Sequence, residues 1–366
     1  MAVRTVTGEI SADRLGIVLP HEHAFIDLRK LVPEPQSISG KVLAQEKVHM
    51  GNLGVLQRNP YAVLDNALIE DENVIKQELL AFKRAGGSTI VDLTLRDIGR
   101  DPNLLAGLSR ELGLNIVAGC GYYIQASHPP DMEERTVEGI AEELVAEIRF
   151  GMDGTSVKAG VIGEIGTSAV IHPHERKALL AAALAQQETG LGVHVHTDLW
   201  ARQGQEVMRI LTGEGVPPHK ICINHVDVDI HLDYLRALLH AGAIIEFDNF
   251  GKEFYADRRH RSVLKGLFAR DIDRVRSIKL LIDEGFEHQI MISTDVCLKT
   301  ALRHYGGWGF DHMLTNIVPM LEDEGVTADE IEILMRVNPA RFLDDGRPPQ
   351  SSAASEPAEE ARDAIH

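Results

Sequence analysis

Eight short runs rich in valine and isoleucine, each followed by a longer helix-like stretch, constrain this chain more than any other feature. They occupy 16–20 (GIVLP), 88–93 (STIVDL), 115–119 (NIVAG), 159–165 (AGVIGEI), 191–196 (LGVHVH), 220–224 (KICIN), 243–247 (AIIEF) and 289–294 (QIMIST). Continuous apolar strands, without polar alternation, are buried on both faces and predict a parallel sheet covered by helices. Eight such units predict an α/β fold, a (β/α)8 TIM barrel in a single domain. A doubly wound sheet needs a glycine-rich turn after its first strand, and here that place holds His21-Glu22-His23. At 366 residues, 44% of them hydrophobic, the chain has ample material for one barrel core.

The barrel is expected over residues 1–344. Residues 72–86 place apolar groups at helical spacing and stop at Gly86-Gly87. Residues 101–113 begin with Asp101-Pro102, a capping residue followed by a first-turn proline. An alanine-rich helix covers 174–190. Residues 30–70 read as a long loop insertion that would cover the pocket at the C-terminal barrel face, with a bland surface insertion as the alternative. Residues 345–366 are poor in apolar groups and read as a disordered C-terminal tail.

Polar residues punctuate the strand ends, the face on which barrels carry their active sites. His21 and His23 are two apart on extended chain, so both rings can reach one ion. Glu164 ends an apolar strand, where a carboxylate must be coordinated or paired, Lys158 being the alternative partner. His196 and His194 share one face of their strand; His194 lies deeper and reads as a core or supporting residue. His225 follows Ile221-Cys222-Ile223. Asp295 follows the last strand, where a helix cap is the competing role. Four imidazoles and two carboxylates exceed one tetrahedral zinc and suit two divalent ions sharing a carboxylate, roughly 3.5–4 Å apart. Such donors suit Zn first, with Mn, Co, Ni or Fe also compatible.

These residues, in this order, resemble the phosphotriesterase family of the amidohydrolase superfamily. The match runs from about residue 5 to residue 343. It is carried by Thr5-Val6-Thr7-Gly8, His21-Glu22-His23, Asp97-Ile98-Gly99-Arg100-Asp101, His196-Thr197, Asn224-His225 with Asp227, and Asn338-Pro339-Ala340-Arg341-Phe342. Founding members bridge their metals with a carboxylated lysine. Glu164 at that position, within Gly163-Glu164-Ile165-Gly166-Thr167-Ser168, and the run Gly306 to Asp311 are similar instead to the phosphotriesterase homology, or phosphotriesterase-related, subgroup.

The resemblance implies one ion held by His21, His23, Glu164 and Asp295, and a more exposed one held by Glu164, His196 and His225. It implies hydrolysis by a hydroxide bridging the two ions, with Asp295 as catalytic proton carrier. Tyr123 would orient the substrate carbonyl, or else simply pack beside Tyr122. The expected bond is a lactone or carboxylic ester first, then an amide, then a phosphotriester; a homodimer is also implied. Topology places Cys297 and Trp308 near a leaving-group pocket. Lys252, Tyr255, Arg258 and Arg259 read as a solvated loop face that could instead meet an anion. A barrel that binds small molecules without turnover and a mononuclear deaminase are the competing readings; the complete ligand set and Glu164 count against them.

The net charge of −18 argues against nucleic acid and anionic membrane surfaces as partners and favours a small molecule. Cys120, Cys222 and Cys297 form no Cys-x-x-Cys pair, and the N-terminus lacks the apolar core of a signal peptide. A cytoplasmic protein without a membrane span is therefore expected.

Overall fold

The computed structural model describes residues 2–255 and 266–346. Its strands are β1 (Ala2–Thr5), β2 (Gly8–Ser11), β3 (Val18–Glu22), β4 (Ile26–Asp27), β5 (Leu68–Ile69), β6 (Thr89–Asp92), β7 (Asn115–Cys120), β8 (Val161–Gly166), β9 (Val193–His196), β10 (Ile221–Ile223), β11 (Ile244–Phe247) and β12 (Ile290–Ile292). All eight apolar runs are strands, and they form one parallel sheet in the order β3-β6-β7-β8-β9-β10-β11-β12. The ends of that sheet meet. The His21 N–H donates to Ser293 Oγ at 3.1 Å, and the Asp295 N–H donates to the His21 carbonyl at 3.1 Å. The result is a nearly closed (β/α)8 barrel.

Strand alternation explains why the runs are apolar throughout. Val18, Val91, Val117, Val161, Cys222, Ile244 and Met291 pack together inside the barrel, above Val3 and Leu15 from the β1–β2 hairpin region. Their sequence neighbours Leu19, Ile90, Ile116, Ile162, Ile221, Ile245 and Ile290 belong to the larger core between strands and helices. With both faces buried, a period of two leaves no polar position until the strand ends.

The expected helices form over Glu72–Arg84, Pro102–Leu112 and Pro173–Thr189. Asp71 and Asp101 cap the first two, each accepting two backbone N–H groups at 3.0–3.2 Å. Gly113 (φ 59°) and Gly190 (φ 74°) end the second and third in left-handed geometry. No helix among the described residues is long and apolar enough to cross a membrane.

The segment 30–70 is more structured than a loop. It contains the short helices Ile38–Ala44 and Leu53–Leu56 and a 3-10 turn at Leu64–Ala67. The antiparallel pair β4–β5 draws its two ends together. Val48, Leu56 and Val63 give it a small core of its own. Asp65 ties it down, accepting from Lys47 at 2.7 Å, from Lys299 at 2.8 Å and from the Val48 N–H at 3.1 Å. Of the expected tail, Asp345 is buried and pairs with Arg4 at 3.2 Å, so the folded chain reaches past 344. Residues 347–366 lie outside the described residues.

Candidate metal centre

The geometry of the first strand end follows from alternation. His21 and His23 turn into the barrel mouth, and Glu22 between them turns the other way. Glu22 accepts from Ser293 Oγ (2.7 Å), Thr294 Oγ1 (2.6 Å), and the Thr294 and Val296 N–H groups (2.9 Å each). It therefore fixes the turn that carries Asp295.

Glu164 occupies the middle of the assembly and is 2% exposed. Its Oε1 lies 3.5 Å from His23 Nε2. Its Oε2 lies 3.5 Å from His21 Nε2, 3.3 Å from His196 Nδ1 and 3.4 Å from His225 Nε2. Asp295 Oδ1 completes the first group, 3.1 Å from His23 Nε2 and 3.8 Å from His21 Nε2. Four groups of three side chains among the described residues could hold a metal ion, and two of them, the trios His21/His23/Asp295 and Glu164/His196/His225, together contain these six residues; the other two are His21/His225/Asp248 and His194/Cys222/Glu246. All six residues singled out in the sequence thus converge. Lys158 is exposed, and the buried neighbours of Glu164 are histidines.

Backbone strain and glycine both serve this arrangement. His225 (φ 60°) and Asp295 (φ 43°) adopt left-handed angles that non-glycine residues rarely take. Gly163 (φ 111°) precedes Glu164, and a Cβ there would sit 2.2 Å from the His194 carbonyl oxygen. Gly166 allows the Tyr123–Ile124 backbone to approach β8, where a Cβ would meet Ile124 N at 2.2 Å. That approach brings Tyr123 Oη to 3.1 Å from His196 Nδ1.

Around the trios lies a ring of supports that the sequence reading did not assign. His23 Nδ1 meets Thr94 Oγ1 at 2.9 Å, and His225 Nδ1 meets Asp248 Oδ1 at 3.0 Å. His21 Nδ1 faces Glu246 and Asp248, both at 3.2 Å, and Asn224 Nδ2 at 2.7 Å. Such partners fix tautomer and ring orientation. The signal for Glu246 and Asp248 was present: a carboxylate in or beside an apolar strand needs a partner, the argument already applied to Glu164. His194 is fully buried below, its Nδ1 3.4 Å from Glu246, outside both trios.

Lys252 differs from the solvated face expected of its loop. It is 5% exposed, and its ammonium group pairs with Asp295 Oδ2. Oδ1 of Asp295 is thereby left to face the histidines. Tyr255 is exposed, as a solvated face would be. Arg258 and Arg259 lie outside the described residues.

Two atoms decide whether ions fit. His21 Nε2 and Glu164 Oε2 are buried and lack a hydrogen-bond partner, though they face each other at 3.5 Å. His225 Nε2 and His196 Nδ1 approach to 2.8 Å beside the same carboxylate. Nitrogen and oxygen lone pairs converging in a buried space are the donor set of divalent cations. Electrostatics agree. Burial opposes charge on His225, but Asp248 outweighs it and raises the pKa to about 10. Burial likewise opposes charge on His21, and Glu164 and Asp295 raise its pKa well above the usual value. The carboxylates hold positive charge in this space.

Above the base opens a cavity of about 290 Å³. His23, Glu164, His196, His225 and Asp295 form its base, with Tyr123, Lys252 and Cys297 beside them. Leu31, Pro33, Pro60 and Tyr61 of the 30–70 segment also line it. Trp308 lines an adjoining groove instead, stacked on His312.

The family model described as "Phosphotriesterase family" matches residues 1–343. The N-acetyltaurine hydrolase of Danio rerio is 37% identical over 349 residues, covering 93% of this chain and 97% of that protein. The crystal structure of a resiniferatoxin-binding protein from Rhodobacter sphaeroides superposes with a TM-score of 0.90 at 34% identity, covering 94% and 95% of the two chains. The lactonase Lmo2620 from Listeria monocytogenes superposes at 0.75 with 26% identity, covering 95% and 100%. Barrel, bridging glutamate and paired donor clusters agree with these matches: the chain is a metal-dependent hydrolase and belongs to the phosphotriesterase family.

Proposed function

We propose that this chain hydrolyses the amide bond of a small N-acyl amine, releasing a carboxylic acid and an amine. One observation carries the reading: over nearly its whole length the chain is more similar to a protein named for amide hydrolysis, at 37% identity, than to the lactonase, at 26%. The order expected from the sequence, lactone or ester before amide, is reversed on that ground.

His21, His23, Glu164 and Asp295 would hold one ion, and Glu164, His196 and His225 the other; zinc suits this nitrogen and oxygen set. When bound, divalent ions in such a site lower the pKa of water to about 7 and act as a Lewis acid towards a carbonyl. The protein's own residues do the rest. The Asp295 carboxylate takes the proton of the attacking water as the new C–O bond forms. It returns that proton to the nitrogen as the C–N bond breaks. Lys252 keeps the carboxylate oriented through Oδ2. Tyr123 directs its hydroxyl at the carbonyl, and the 30–70 segment forms part of the pocket roof. The chain acts as a homodimer in this reading.

The test is a panel of N-acyl amines, lactones, carboxylic esters and phosphotriesters, assayed after reconstitution with zinc. Amides are expected to show kcat/KM at least about tenfold above the other classes, a difference of about 1.4 kcal/mol. Higher turnover of lactones than of any amide would overturn the reading.

A further inference from the structure

The cavity is polar at its base and apolar along its walls. Phe268 and Val228 are buried, and Tyr61, Leu199, Trp200 and Phe254 pack against them as one cluster. Their rings meet edge to face: Trp200 and Phe268 centroids are 5.8 Å apart, Phe254 and Phe268 5.3 Å. This is the geometry aromatic groups prefer with one another, and it makes a stiff wall. Tyr61, Trp200, Phe254 and Phe268 all face the cavity, and Ile26, Leu28 and Leu31 extend the apolar lining. Tyr61, Trp200 and Phe254 are only half-buried: they pack on Val228 and Phe268 and also line the cavity.

Position links the wall to the chemistry. Leu199 and Trp200 follow His196 on the loop after β9, and Val228 follows His225 on the loop after β10. Leu199, Trp200 and Val228 therefore rise from the same loops as the ligands nearest the cavity, while Phe254 and Phe268 follow β11 and Tyr61 comes from the 30–70 segment. Lys252 reaches the cavity with its charge committed to Asp295. An acetyl group and a strongly hydrated acid would leave most of this apolar surface wet. A cavity of about 290 Å³, at the lower bound of small-molecule sites, instead suits a compact substrate that covers the wall.

We propose that the substrate is an amide carrying one bulky apolar half, an aryl or branched alkyl group, seated against Tyr61, Trp200, Phe254 and Phe268. This rests on the amide reading above and narrows it.

The experiment uses the zinc-reconstituted full chain and two substrate series. One varies the acyl group on taurine from acetyl through hexanoyl to phenylacetyl. The other keeps acetyl and varies the amine from taurine to phenethylamine. One added methylene in an apolar pocket is worth roughly tenfold or more, so a rise in kcat/KM of at least about tenfold is expected in one series. Trp200→Ala and Phe254→Ala should each erase most of that preference, bringing kcat/KM for the bulky substrates down towards that for N-acetyltaurine; a preference kept in full by both variants would overturn the proposal. Acetyl as the best acyl group, with taurine as the best amine, would overturn the proposal.

A second readout separates this from failure of the amide reading. The chain has two tryptophans, so Trp308→Phe leaves Trp200 as the fluorescent reporter. Whichever of N-phenylacetyltaurine and N-acetylphenethylamine carries the preferred apolar half should change the Trp200 emission saturably and at lower concentration than N-acetyltaurine. That change without amide turnover upholds the apolar wall and removes the amide chemistry. Equal response to all three compounds counts against the wall itself.

Discussion

Two residues of the candidate centre, His225 and Asp295, hold left-handed backbone angles that cost on the order of 1–3 kcal/mol each. Buried hydrogen bonds hold these angles: Asp248 receives the His225 N–H, and the Asp295 N–H joins the His21 carbonyl. Function at this scale should separate cleanly from folding. Asp295→Asn is expected to reduce turnover of the zinc-saturated enzyme by more than about a hundredfold, with an unchanged circular dichroism spectrum. Retained activity would remove Asp295 from the proton path. Glu164→Ala should lower bound metal from two ions per chain to one or none by elemental analysis, because both trios lean on that carboxylate. Unchanged stoichiometry would make Glu164 a structural residue. The residue types of the trios were readable from position alone. Lys252 was not, because nothing in Gly251-Lys252-Glu253 distinguishes a buried lysine from a solvated one; burial comes from the Asp295 carboxylate opposite.

At the scale of elements, strands were legible and short helices were not. Eight strands with both faces buried leave unbroken apolar runs, and capped helices announce their ends through Asp71, Asp101 and Gly113. Helices such as Leu53–Leu56 are too short to show a period and owe their form to packing on Val48, Val63 and Tyr305. The insertion is held largely by Asp65. Burial alone would raise its pKa, but Lys299 and Lys47 lower it below the ordinary value. A lowered carboxylate contributes stability above its unfolded pKa, and that contribution is lost as pH falls through the folded one. Protection of segment 47–67 against hydrogen exchange should therefore weaken below about pH 4. Asp65→Asn should weaken it at neutral pH, costing about 1–3 kcal/mol through the buried Lys299 partner. Undiminished protection in that variant would mean that the small core alone holds the segment.

For the whole molecule, metal and fold are linked. Ions that bind the assembled centre and not the unfolded chain stabilise it by about 4 kcal/mol at a thousandfold excess over Kd. Chelation is expected to lower Tm, with zinc restoring it; an identical Tm with and without chelator would show that the barrel is indifferent to its centre. The barrel closes with His21 and Asp295 joined across its seam. Ligands from the first and last strands therefore meet only once the chain has folded completely.

The amino-acid sequence by itself determined the barrel, the family and the six residues of the two trios. Each depends on local pattern: apolar runs, strand ends, and residue types that burial makes costly unless they are paired. Only the tertiary structure decided that Glu22 braces the turn of Asp295, that Lys252 is buried against it, and that Asp248 and Glu246 orient the histidines. It also decided that one pocket wall is an aromatic cluster. Those facts join residues tens to hundreds of positions apart, and the energy of such contacts exists only where packing brings the partners together.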